Sequence, residues 1–249
     1  MLLAVGVGLP GAGLAQEAAP ATTDTTPDRW DAAIEFGFNG STGNTRLTVL
    51  TTGFRVKHLE TDRYELEWSA AFRYGESDDE VIARSFESGL GWDLWPEAAW
   101  SPFAFATLER DAFRRIDLRS NAGVGAKRTF VREENAEVSL SAAVLHDYEN
   151  FTTPTDEDAV ADRTNARWSI RARGHRQFEN GLRFDHVTFY KPIWDDGTDY
   201  NIDSNTKVTI LVSDRIGLNL SYTFRRDSTP PPDVERNDQI VQAGLTIQL

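Results

Sequence analysis

His186 and Ser204 come nearest, of all the residues in this chain, to a nucleophile with its base. A serine hydroxyl becomes a nucleophile only when an imidazole within hydrogen-bond reach takes its proton and a third group orients the ring. Antiparallel pairing across the connection near 194–196 sets His186 opposite Ser204, or opposite Thr206 after a small change of register. No signature surrounds Ser204, and neither an orienting Asn or Asp nor a set of oxyanion donors accompanies the pair on that face. An isolated polar pair on a sheet wall is the plainer reading. The other histidines, His58, His146 and His175, fall on different segments without metal-ligand spacing. The chain has no Cys, which excludes disulfides, thiolate metal sites and Cys nucleophiles. No cofactor and no metal site are expected.

The more extensive chemistry is ionic. Arg63, Glu65, Glu67 and Arg73 share one parity of their segment, as do Asp117, Arg119 and Lys127, and then Arg167, Arg171 and Arg173. Glu87, Asp93, Glu137, Arg183, Asp185 and Lys207 sit on the polar parity of theirs. Facing a common interior, opposite charges either pair and close it or line a wet path. Glu109, Arg110 and Asp111, with Asp117 and Arg119, form a denser cluster at one mouth: a ligand or ion constriction, or a salt-bridge network that fixes a loop. Three acidic stretches lie between segments: Glu76, Asp78, Asp79 and Glu80; Asp156, Glu157, Asp158 and Asp162; Asp195, Asp196 and Asp199. Their oxygens could take divalent cations, though none matches the twelve-residue calcium loop.

The elements that position these residues announce themselves by period-two alternation, the mark of a strand with two unlike faces. Tyr64, Leu66, Trp68, Ala70, Phe72 and Tyr74 alternate with polar residues, as do Val138, Leu140, Ala142 and Val144, and Ile216, Leu218, Leu220, Tyr222 and Phe224. No helical period is sustained. The segments fall at 30–39, 46–58, 63–75, 84–95, 100–111, 116–130, 136–149, 164–176, 182–192, 199–212, 216–226 and 238–249. At 100–111 the faces conflict, because Phe103 and Phe105 take one parity and Ala104, Ala106 and Leu108 the other; 46–58 is out of phase in the same way.

Alternation alone does not say which face is apolar toward what, since a soluble sandwich alternates too. About twelve strands close a barrel too wide for one apolar row per strand to fill. Aromatics gather at strand ends, Trp30, Tyr64, Trp92, Trp95 and Trp100 at one and Tyr74, Tyr148, Tyr190, Trp194, Tyr200 and Tyr222 at the other, as two membrane–water interfaces require. Connections alternate between short ones and mostly longer ones at 76–83, 150–163 and 227–236. The expected fold is therefore all-β, an antiparallel transmembrane barrel of the outer-membrane type over 29–249. Residues 1–15 read as a signal peptide and 16–28 as a disordered spacer. Of 249 residues, 26 Lys and Arg stand against 39 Asp and Glu, a net charge of −13 that argues against a nucleic-acid partner. Mean hydropathy is −0.45, and no apolar run after the leader approaches the roughly 20 residues of a membrane helix.

The last segment, with Gln242 and Gly244 before Ile247 and Leu249, is similar to the terminal strand that barrel-assembly machinery recognises. Gly43-Asn44-Thr45, Glu109-Arg110-Asp111 with Phe113, Ile116-Asp117-Leu118-Arg119, Gly123-Val124-Gly125, Tyr190-Lys191-Pro192 and Asp238 follow in order. As an ordered set they resemble the domain of unknown function 481 family, often labelled salt-induced outer membrane proteins, over about residues 30 to 249. The resemblance implies a barrel in the outer membrane of a Gram-negative bacterium, and no established activity. With both termini periplasmic, the expected function is a narrow passive channel or an envelope barrel tied to osmotic stress. Outer-membrane lipid and lipopolysaccharide are the expected surroundings, with divalent cations at the acidic loops. The alternatives are a phospholipase-like hydrolase using His186 and Ser204 on the lipid face, and a receptor or adhesion barrel using its loops.

Overall fold

The computed structural model describes residues 28–41, 47–60, 63–77, 80–152, 162–213, 215–232 and 234–248. The expected leader and spacer up to residue 27, the Gly43-Asn44-Thr45 turn, Asp78, Asp79, Asp156, Glu157, Asp158 and Leu249 lie outside the described residues. The strands are β1 (Asp28–Ser41), β2 (Leu47–Glu60), β3 (Tyr64–Ser77), β4 (Glu80–Leu94), β5 (Trp100–Asp111) and β6 (Ile116–Glu133). They continue with β7 (Ala136–Phe151), β8 (Arg163–Gln177), β9 (Leu182–Pro192), β10 (Tyr200–Leu211), β11 (Ile216–Asp227) and β12 (Asn237–Gln248). Each pairs antiparallel with its sequence neighbours, and β1 also meets β12, so the sheet closes into a barrel. Closure leaves no open edge, the condition for strands to cross hydrocarbon. Among the described residues the two seams of β1 are unequal: with β2 the ladder runs from Asp28↔Glu60 to Ser41↔Leu47, with β12 from Ala33↔Gln248 to Phe36↔Leu245.

Why these segments form strands is plainest in β7. Ser139, Ser141, Ala143, Leu145 and Asp147 are buried, while Val138, Leu140 and Val144 between them are exposed. The same inversion holds around the barrel. Phe38 is 71% exposed and Val124 64%, whereas the buried set includes Glu65, Glu87, Asp93, Arg119, Glu149, Arg167 and Lys207. An apolar wall of this extent belongs in lipid, and a charged interior belongs to a bore. Aromatic pairs mark both rims. Trp30 stacks on His58 at 4.4 Å beside Tyr64, and at the other rim Trp168 stacks on Trp194 at 4.3 Å.

The strands match the sequence expectation in number and run beyond it in places. The connection expected at 76–83 is mostly strand, because pairing continues through Glu76↔Val81 and Ser77↔Glu80 after a register shift at Gly75. The conflict in β5 has a steric explanation. Phe103 and Phe105 face inward, opposite Gly125 and Gly123 of β6. A Cβ on Gly123 would stand 2.8 Å from the Phe105 ring, and one on Gly125 2.3 Å from the Ala142 carbonyl oxygen. At the β8–β9 turn Gly181 has φ +79° and its N–H donates to the Phe178 carbonyl at 3.0 Å, a left-handed position that suits glycine.

Candidate functional site: a charged bore

The inward parity of the strands builds the site. Toward the rim where β1 starts and β12 ends, Lys57 pairs with Glu65 at 2.6 Å and Lys127 with Asp93 at 2.6 Å, and Lys207 of β10 reaches Glu35 of β1. Asp185 meets His175 at 2.6 Å, and Glu137 lies 3.8 Å from Arg132. Arg73, Arg173 and Arg183 are half-buried on the same inward parity.

Toward the long-loop rim the charges span the bore. Arg225 of β11 donates through Nη2 to Glu87 Oε1 of β4 at 2.7 Å, between strands five steps apart in the closed order. Arg119 of β6 holds Glu149 at 2.5 Å and Glu109 at 3.1 Å, and lies 3.8 Å from Asp227 of β11. Arg167 donates to Asp147 at 2.7 Å and to Asp199 at 2.9 Å, and Lys191 pairs with Asp203 at 2.6 Å. The β11–β12 connection folds over this mouth. Thr229 Oγ1 donates to Asp199 at 2.6 Å, Arg163 donates to the Thr229 carbonyl at 2.8 Å, and Pro231 is buried. Inside the bore is a chamber of about 100 Å³, lined among others by Glu67, Phe103, Phe105, Asn121, Arg171 and Phe189.

Two expected lining residues lie elsewhere. Arg63 precedes β3 in the turn, where it is exposed and pairs with Glu60 at 2.9 Å. Asp117 faces outward because a bulge between Ile116 and Leu118 inserts one residue and reverses the parity. The mouth cluster consequently divides across the wall. Glu109 faces inward to Arg114 at 2.5 Å and to Arg119, and Asp111 accepts the N–H groups of Phe113 and Arg114 at 3.0 and 3.2 Å. Arg110 projects outward and grips Asp117 at 2.7 Å.

His186 and Ser204 lie on the outer wall, in a register different from the first one expected. His186 opposes Thr206, and Ser204 opposes Thr188. The imidazole Nδ1 is 2.8 Å from Thr206 Oγ1 and Nε2 is 3.0 Å from Thr188 Oγ1, while Ser204 reaches Thr188 at 2.9 Å. Both ring nitrogens are thus taken by threonines, and Ser204 stands one hydroxyl removed from the imidazole. In the acidic β9–β10 connection, hydrogen bonds from the Thr198 hydroxyl and then its N–H hold the Asp196 carboxyl below its ordinary pKa. Asp199 is already committed to Arg167 and Thr229.

The model of the DUF481 family, proteins of unknown function, matches residues 34–249. The chain belongs to this family. No curated protein matches this DUF481 sequence. Among solved structures the NanC porin is similar with a TM-score of 0.53 at 9% identity, covering 88% of this chain and 100% of that one. The KdgM porin gives 0.47 at 10% identity over 89% and 99%, and the COG4313 outer membrane channel from Pseudomonas putida F1 gives 0.46 at 17% over 94% and 100%. The first of these likenesses shows a shared fold. With the apolar outer wall, it makes the DUF481 chain a transmembrane β-barrel of the porin type.

Several residues of the DUF481 bore were not among the expected lining. Arg225 and Asp203 carry the signal that marks Lys207, the polar parity of their strands. Glu149 and Asp147 stand likewise on the parity of Glu137. Arg114 lies in a connection, where parity has no meaning, and only the fold reveals it.

Proposed function

We propose that this DUF481 barrel is a narrow passive channel in the outer membrane of a Gram-negative bacterium, passing small solutes or ions without a catalytic step. The observation that carries this reading is a chamber inside a charged bore, crossed by ion pairs rather than filled by apolar side chains. An ion pair that spans a wet bore can exchange its partner for water or a passing ion, so it narrows the path and reads charge. The start of β1 and the end of β12 face the periplasm in this reading, supported by the longest connections, β7–β8, β9–β10 and β11–β12, lying at the opposite rim. Assembly machinery would engage β12, and lipopolysaccharide with bridging divalent cations would meet the opposite rim.

The Arg225–Glu87 pair and the folded β11–β12 connection favour a second reading, a barrel closed at rest. Single-channel recording from the folded protein in a planar bilayer separates the two. Discrete steps from wild type, with a larger conductance and altered ion selectivity in Arg225→Gln/Glu87→Gln, are the expected result. Silence from both proteins, with folding verified, overturns the channel.

A further inference from the structure

Two buried groups in the chamber are left over by the ion-pair network. Glu67 of β3 is 5% exposed, lines the chamber, and its Oε2 has no hydrogen-bond partner among the described residues. Arg171 of β8 is buried and lines the same chamber from a strand five steps away, nearly the opposite side. Its Nε donates to Ser141 Oγ at 3.1 Å and its guanidinium lies over Phe103 and Phe189 at 5.3 and 6.0 Å. Among the described residues no carboxylate lies within salt-bridge distance of it. A carboxyl group and a guanidinium thus face each other across a space of about 100 Å³ without meeting.

We infer that this chamber is a binding site for a small zwitterion, a molecule carrying an ammonium group and a carboxylate, held between Glu67 and Arg171. This rests on the reading of the bore as a path open to solutes. The argument is one of charge balance. A buried charge is costly until it is paired. A lone cation would answer Glu67 and leave Arg171, a lone anion would do the reverse, and a neutral polyol would answer neither with charge. A zwitterion answers both and enters with no net charge, and the field between the two groups orients its dipole. A space of about 100 Å³ admits compact molecules of amino-acid size. Phe103 and Phe189 lie against the guanidinium and, among the described residues, only its Nε is bonded, to Ser141, which leaves the terminal N–H groups to meet a carboxylate.

The test is saturation-transfer NMR on the detergent-folded full chain at low ionic strength. Glycine is the zwitterion, glycolamide its neutral counterpart, and acetate and methylammonium are the single charges. Glycine is expected to bind more tightly than the other three. Glu67→Gln and Arg171→Gln should each weaken glycine about tenfold or more, corresponding to about 1.4 kcal/mol. Acetate should respond only to Arg171→Gln and methylammonium only to Glu67→Gln. Glycine binding no better than acetate or methylammonium, or unchanged in both folded variants, overturns the site. Failure of the channel reading shows separately: glycine binding with a silent bilayer removes conduction and keeps the site, whereas conduction without glycine binding does the opposite.

Discussion

Replacing Arg167 with methionine asks how dry the bore is. The side chains of Arg167 and Asp147 are 3% and 2% exposed and joined at 2.7 Å. Asp147 stands two residues from Glu149, itself buried, so removing the guanidinium leaves one carboxylate beside another. At an effective dielectric near 20, unit charges about 4 Å apart interact by about 4 kcal/mol. Stripping one partner from a buried pair costs about 3–5 kcal/mol, while an exposed pair is worth about 0–1 kcal/mol. The expected loss for Arg167→Met is therefore about 3 kcal/mol or more. Urea unfolding from lipid vesicles, followed by tryptophan fluorescence, measures it; the Trp168–Trp194 stack lies beside the pair, where the Trp194 N–H donates to the Ala166 carbonyl at 2.8 Å. The double variant Arg167→Met/Asp147→Leu removes both charges and should recover most of that loss. A single variant costing under about 1 kcal/mol refutes the reasoning, because it would mean water screens the pair as at a surface.

Two further outcomes follow from the wall. Gly125→Ala places a Cβ 2.3 Å from a backbone oxygen and should cost about 1–3 kcal/mol in the same unfolding assay, whereas Gly174→Ala, with nothing within 4 Å of the new atom, should not show that loss. Val124→Arg puts a charge on the lipid face at the middle of β6 and should cost about 2–4 kcal/mol, read as slower and less complete folding into vesicles.

Much of the barrel is legible in the sequence because one physical demand, lipid outside and charge inside, repeats at every strand. β7 and β11 keep that alternation unbroken, and their inward and outward residues follow from parity alone. Legibility fails where something other than hydropathy decides the face. Phe103 and Phe105 are apolar yet inward, and only the glycines opposite them on β6 explain how the rings fit. Asp117 is charged yet outward, since a bulge shifts the count by one and parity cannot see an inserted residue. Pairs across the bore depend on its diameter and on strand tilt. Arg225 is thus recognisable as inward, but its meeting with Glu87 is not. The His186–Thr206 register turns on the geometry of a connection that alternation does not encode.

The short ladder between β1 and β12 gives the cylinder a zip fastener. Every other neighbouring pair of strands is joined through a connecting loop and can form as a local hairpin, but this seam unites segments some 200 residues apart through the stretch from Ala33↔Gln248 to Phe36↔Leu245. Closing it costs more chain entropy than forming any hairpin, which predicts that the curved sheet precedes the finished cylinder in time. On unfolding the order reverses. Amide protons of this seam should exchange with solvent deuterium before those of β6 and β7, and the cylinder parts there first.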